Sequence, residues 1–229
     1  LRYYRETLRF GEDVLKTHDH DKLAHYAKAA LDIEFKFPFG WGELEGVHHR
    51  GTWDISRHQE FSTQNLEYFD QERKARFAPT VIETSVGMDR TMLALLCNAY
   101  AEDKAPTQKE GMEEDVRIVL RLPPCVAPVQ VAVMPLSKKL DEQATKLQRD
   151  LCRFYRTELD TTGNIGKRYR RQDEIGTPFC VTVDHQTMQD NTVTIRFRDT
   201  MEQERVPVEN LRDMISKQVS YRTLFEKLK

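Results

Sequence analysis

An apolar strand followed by a long amphipathic helix is the feature that most limits what this chain can become. Val129-Gln-Val-Ala-Val-Met has almost no polar face, the pattern of a strand covered on both sides. After it, Leu140, Ala144, Leu147, Leu151 and Phe154 recur at four, three, four and three residues. That spacing places them on one stripe of a helix over about 138–155. Glu158-Leu-Asp-Thr-Thr then reads as a short strand, and Asn164 can cap a helix running to Ile175. Phe179-Cys-Val-Thr-Val is a further strand. Thr192–Arg198 and Gln203–Pro207 form a hairpin around Asp199-Thr-Met. A last helix from near Val208 uses Leu211, Ile215 and Val219. This alternation implies a mixed sheet with flanking helices.

The first hundred residues follow another pattern. Apolar residues between Val14 and Leu31 suggest a helix over about 12–31. Ile33–Phe37 and Trp41–Val47 alternate as two antiparallel strands joined by Pro38-Phe-Gly. Residues 56–78 show poor periodicity and read as an excursion. Thr80–Val86 is a strand, and Met88–Tyr100 is a helix striped by Met92, Leu95, Leu96 and Ala99. Between the two patterns, residues 101–115 are charged and hold Pro106 and Gly111, which marks a domain boundary. The division expected is 1–104, a linker at 105–116, and 117–229.

Charge narrows the function classes. The chain has 35 basic and 37 acidic residues, so any nucleic-acid contact must come from local clusters. The densest is Lys167-Arg168-Tyr169-Arg170-Arg171, where cations flank an aromatic able to stack on a base. The same cluster could equally be a solvated helix face. No run of about 18 apolar residues is present, so no transmembrane helix is expected. Cys97, Cys125, Cys152 and Cys180 lack the short-spaced pairs of a zinc site and read as buried free thiols of a reducing compartment. His48 and His49 are adjacent, so on a strand they point to opposite faces and do not share a metal.

Two segments carry chemistry. In Ile82-Glu-Thr-Ser-Val-Gly-Met-Asp-Arg, Glu83 and Ser85 are two apart on a strand and face one side. Gly87 lets a ligand approach the backbone, and Arg90 in the first helical turn suits a phosphate or a purine. The alternative is an ordinary strand-to-helix corner with a surface arginine. In Gly40-Trp-Gly-Glu-Leu-Glu-Gly, Glu43 and Glu45 are expected on one side of a strand, where paired carboxylates could hold Mg²⁺ with a nucleotide phosphate.

The segment Ser85-Val-Gly-Met-Asp-Arg90 resembles motif 3 of class II aminoacyl-tRNA synthetases. Together with Val81-Ile-Glu-Thr-Ser85, with Trp41–Gly46 followed by Arg50 and Asp54, and with Leu66-Glu-Tyr-Phe-Asp70, it is similar to the glycyl branch. Asn164–Tyr169, Gln172–Pro178 and Val193–Gln203 resemble the anticodon-binding domain shared by the glycyl, threonyl, prolyl and histidyl enzymes.

The resemblance implies a partial class II antiparallel catalytic sheet followed by a mixed-sheet α/β anticodon-binding domain. It implies ATP-dependent attachment of glycine to tRNA(Gly) through glycyl-adenylate, with ATP and Mg²⁺, in a cytoplasmic enzyme that is a homodimer at full length. It assigns Glu83, Thr84, Ser85, Val86 and Gly87 to the amino acid. It assigns Glu43, Leu44, Gly87, Met88, Asp89 and Arg90 to ATP, with Mg²⁺ brought by the nucleotide and touched by Glu43. The anticodon contacts implied are Lys167, Arg168, Arg170, Arg171, Arg198, Asp199, Thr200 and Gln203. A glycine ligand fits this residue choice: a carboxylate pairs with the ammonium, and small side chains leave no room for a methyl group. Motifs 1 and 2 of the class are not found, so the chain reads as the C-terminal part of such an enzyme, inactive alone. The rival expectation is a non-catalytic nucleic-acid-binding accessory protein reusing the anticodon-binding fold.

Overall fold

Residues 1–105 and 115–228 are described by a computed structural model, which separates into two units. One comprises Leu1 and Phe10–Cys97; the other comprises Arg2–Arg9 and Asn98–Lys229. The linker expected at 105–116 falls mostly on 106–114, outside the described residues.

The first unit is built on alternation. Its strands are β1 (Leu15–Asp19), β2 (Ala29–Phe37) and β3 (Gly40–Gly51). Next come the helix α1 (Trp53–Ser62), the small hairpin β4 (Tyr68–Asp70) and β5 (Ala75–Phe77), the strand β6 (Val81–Val86), and the helix α2 (Met88–Ala99). The antiparallel sheet runs β1-β2-β3-β6. On β2, Ile33, Phe35 and Phe37 are buried on one face, and Phe10 packs on Phe35 with ring centroids 5.1 Å apart. Asp32 and Glu34 take the other face, which is polar.

The helix expected over 12–31 does not form. β1 instead ladders against β2, pairing Leu15 with Phe35 and His18 with Asp32. Only Leu15 of β1 is buried, so this edge strand carries little apolar signal of its own. Within the 56–78 excursion, α1 buries no residue, which explains its missing periodicity.

The second unit opens with a π-helical turn, Tyr3–Thr7, burying Tyr4 and Thr7. The hairpin β7 (Tyr100–Ala105) and β8 (Asp115–Leu120) follows. Then come β9 (Val131–Pro135), α3 (Asp141–Leu151), β10 (Thr157–Leu159), α4 (Ile165–Ile175) and β11 (Phe179–Val183). Last are the short α5 (Thr187–Asp190), the hairpin β12 (Thr192–Phe197) and β13 (Gln203–Pro207), α6 (Leu211–Val219) and α7 (Tyr221–Leu228). The sheet order is β10-β9-β11-β12-β13, parallel through its first three strands and antiparallel after. Every residue of β9 and β11 is buried, as the apolar runs require. Leu140, Ala144, Leu147 and Leu151 join Phe179, Val181, Ile195, Leu211 and Ile215 in one core. Asn164 caps α4 as expected, its Oδ1 accepting from the Lys167 amide at 2.9 Å. Gly176 ends the helix at φ +84, a backbone that disfavours side chains.

Candidate functional site

The polar face of the first sheet gathers the chemistry. Asp32 on β2 is in register with Gly46 on β3, and Gly46 with Ser85 on β6. His48 is in register with Glu83. Directly opposed residues share a face, so Asp32, His48, Glu83 and Ser85 lie together. Thr84 pairs with Val47 and Val86 with Glu45, which places both on the opposite face from Glu83 and Ser85. Gly46 leaves a gap in the row. A Cβ there would meet His48 Cε1 at 2.8 Å, Asp32 Oδ1 at 3.4 Å and Glu43 Oε1 at 3.6 Å.

Arg50, named in the sequence only as part of the glycyl resemblance, has a site role there that the sequence did not assign. Its Nε and Nη2 grip the Asp54 carboxylate at 2.7 and 2.8 Å, while Nη1 donates to Glu83 Oε2. The guanidinium also lies 4.2 Å from the centre of the Tyr26 ring. The bidentate hydrogen bond from Arg50 holds the Asp54 carboxyl below the usual carboxylate range. The signal for this cluster was the four-residue spacing of Arg50 and Asp54, which joins the end of β3 to the first turn of α1.

The carboxylates Glu43 and Glu45 do not pair. Glu43 is opposite Glu34 and Glu45 is opposite Ile33, with Leu44 as the extra residue of a bulge. The bulge resets the alternation and sends the two side chains to opposite faces. Leu44 is buried at 2% exposure. Glu43 instead joins Asp89 and Arg90 around an open cavity of 450 Å³, with Phe37, Phe39, Gly42 and Leu93. Arg90 Nη1 donates to the Glu43 carbonyl at 2.7 Å. Phe37 and Phe39 stack with ring centroids 5.0 Å apart. Gly87 and Met88 lie between β6 and this cavity in sequence. A Cβ on Gly87 would find only Arg90 Cβ at 3.7 Å, so packing within the chain does not demand glycine there.

In the second unit the basic cluster of α4 divides. Arg168 is buried, and its guanidinium donates to the carbonyls of Pro135, Thr161 and Gly163. Arg198 is buried too, held by the Gly176 carbonyl at 2.8 Å and by the Asp199 carboxylate. Both were expected among RNA contacts; their donors are spent inside the fold. Lys167 is exposed, and Arg170 and Arg171 are half-buried; with Asn164, Gly166 and Glu174 they line an open cleft of 600 Å³. Arg171 also pairs with Asp160 at 2.6 Å. Burial pushes the Asp160 carboxyl up, but hydrogen bonds from Arg171, the Thr162 amide and Gln172, with the Arg171 charge, together hold it below the usual range. Asp199, Thr200 and Gln203 are exposed around the turn of the β12–β13 hairpin. Of the four cysteines, all free, Cys125 and Cys180 are buried while Cys152 is exposed, contrary to the expectation of four buried thiols.

Residues 130–218 match the family described as the anticodon binding domain. Across 94% of its length the chain is 51% identical to a glycine–tRNA ligase of Lachnoclostridium phytofermentans, covering 46% of that protein. A glycine–tRNA ligase of Chlorobaculum tepidum is 50% identical over 90% of the chain and 43% of its own length. Along nearly its whole length the chain is thus similar to glycine–tRNA ligases. It spans about half the length of the curated relatives it matches. Among solved structures, a Cryptosporidium parvum prolyl-tRNA synthetase complexed with L-proline and AMP aligns at a TM-score of 0.63 and 18% identity, over 98% of this chain and 46% of that one. The RNA binding domain of a threonyl-tRNA synthetase from the same species also aligns at 0.63, with 20% identity over 85% of this chain and 44% of that one. At these identities the two structures support the fold alone. Among the described residues no helix is long and apolar enough to cross a membrane.

Proposed function

We propose that this chain supplies part of the glycine and ATP sites, and the anticodon-reading module, of a synthetase that attaches glycine to tRNA(Gly). The observation that carries the reading is the row of Glu83 and Ser85 on the polar face, opposite His48 and Gly46 and anchored by Arg50. With Oε2 of Glu83 taken by Arg50, Oε1 is the oxygen an ammonium would meet. Ser85 opposite Gly46 keeps the pocket small. Excluding alanine must be steric, since one methyl contributes only about 1–3 kcal/mol by affinity.

Glycine held by its ammonium presents its carboxylate to the α-phosphorus of ATP. Attack there releases pyrophosphate and leaves glycyl-adenylate. The terminal ribose hydroxyl of the tRNA then attacks the carbonyl of this mixed anhydride, and AMP departs. Such a reaction gains from positioning and charge stabilisation more than from side-chain acid–base work. Arg90, fixed on the Glu43 carbonyl, is the cation of this chain beside the cavity assigned to ATP. Among the described residues no cluster of three metal-ligating side chains exists. Glu43 and Asp89, on the lining of that cavity, would meet Mg²⁺ that arrives with the nucleotide, where the ion would neutralise phosphate charge.

Lys167, Arg170, Arg171, Asp199, Thr200 and Gln203 are the side chains assigned to the anticodon stem-loop; Arg168 and Arg198 support them from inside. The parent enzyme is taken to be a cytoplasmic homodimer, and free thiols suit a reducing compartment.

The test is Glu83→Ala in the full-length enzyme. Loss of a hydrogen bond to a charged group predicts glycine-dependent pyrophosphate exchange about 10- to 100-fold lower. Unchanged exchange at limiting glycine would remove Glu83 from the pocket.

A further inference from the structure

Asp173 is fully enclosed, although it lies on the helix whose other face carries the basic cleft. Arg196 grips both its oxygens, Nη1 to Oδ1 at 2.8 Å and Nη2 to Oδ2 at 2.9 Å. Arg117 Nη1 reaches Oδ2 at 3.1 Å. Arg117 is itself buried and has further partners: Nη1 also donates to the Arg198 carbonyl at 2.8 Å, and Nε to Asp103 Oδ1 at 2.7 Å. Asp103 also accepts from Arg121 at 2.6 Å. Arg170, one turn before Asp173, donates to the Val116 carbonyl at 3.3 Å. The inner face of α4 is thus fastened by ionic contacts to β8 and β12, and through Arg117 to β7.

A buried ion network of this kind adds little net stability over an apolar cluster of equal volume. What it does add is direction. A bidentate arginine–carboxylate pair has one geometry, whereas apolar side chains slide. Lys167, Arg170 and Arg171 share one face of α4 by their three- and four-residue spacing, and the rotation of α4 about its axis sets where that face points.

We propose that Asp173, clamped by Arg196 and Arg117, is the positioning residue of α4 for RNA. The inference rests on the RNA reading of the second unit given above. It makes a prediction of unusual sign. Asp173→Asn removes a negative charge from the unit, and long-range attraction alone would tighten RNA binding. Loss of positioning weakens it.

The experiment uses the whole 229-residue chain and an RNA hairpin carrying a glycine anticodon in its loop. Asp173→Asn and Lys167→Ala are compared singly and together by anisotropy over a range of salt. Amide exchange of α4 and α3 is followed in parallel. The expected result is binding about tenfold weaker for Asp173→Asn, with a salt slope lower by about one to two. The double variant should lose less than the sum of the singles, because one contact cannot be lost twice. Exchange should quicken in α4 and not in α3. Unchanged or tighter binding by a folded Asp173→Asn chain, or fully additive losses, overturns the proposal. Should that variant fail to fold, Arg196→Lys keeps the charge without the bidentate grip and must weaken binding in the same direction. Should the unaltered chain not bind the hairpin, the RNA reading fails by itself. The exchange data then decide the clamp: no selective loosening of α4 overturns it.

Discussion

Helices α2 and α3 carry similar apolar stripes and meet different fates. On α3 and the turn before it, Leu140, Ala144, Leu147 and Leu151 are at most 8% exposed, pressed on a sheet whose central strands are wholly buried. On α2, Ala94 and Ala99 are buried, but Met92 is 58% exposed and Leu96 40%. The second unit is a sheet wound with helices between parallel strands, and that topology brings its own cover to the sheet. The first unit is an antiparallel sheet with one polar face, where the candidate residues stand, and its helices bury far less. An apolar stripe therefore shows which face of a helix wants covering. It does not show what covers it.

The contrast can be broken by cutting one apolar side chain in each unit. Phe179→Ala, in the core of the second unit, should cost about 3–5 kcal/mol. Met92→Ala on α2 should stay within about 0.5 kcal/mol. Both tryptophans, Trp41 and Trp53, lie in the first unit, so indole fluorescence follows that unit while far-ultraviolet dichroism follows both. A Met92→Ala penalty approaching that of Phe179→Ala would mean that α2 is covered after all.

Acid sharpens the contrast next. Arg205 grips Asp184 with two hydrogen bonds, 2.7 and 2.8 Å, and holds its carboxyl well below the usual range. A depressed folded value gives stability that is present above the unfolded value of about 3.9 and is lost as pH falls below it. Urea midpoints of the second unit should therefore drop between about pH 5 and pH 2. Asp184→Asn should flatten that limb and leave the fluorescence-monitored transition alone. An unchanged slope would show the pair to be without effect.

A smaller effect is expected at the start of α4. Asn164→Ala removes the cap on the Lys167 amide and should cost about 1 kcal/mol, read from the same dichroism transition. A loss below about 0.2 kcal/mol would mean that water replaces the cap at no cost.

Much of this was legible beforehand. The fully buried strands, the α3 stripe and the Asn164 cap are local patterns, and local patterns survive folding. The strand-to-helix corner at Gly87 was legible for the same reason. The helix expected over 12–31 failed because β1 takes its structure from a ladder to β2, a partner that no local window contains. Glu43 and Glu45 separated because one extra residue in β3 resets the alternation. Arg50 was named but given no role, because its contact with the candidate site lies 33 residues away, at Glu83.

By itself the sequence determined the apolar strands and striped helices of the second unit, and it named the candidate residues around Glu83, Arg90 and α4. Each depends on neighbours a few positions apart, and spacing carries that information. Only the tertiary structure decided which charges are available to a ligand. Arg168, Arg198 and Asp173 look like any other charged residues in the sequence. They are structural because strands distant in the chain bring carbonyls, carboxylates and guanidiniums to them, and a buried charge must be satisfied where it lies.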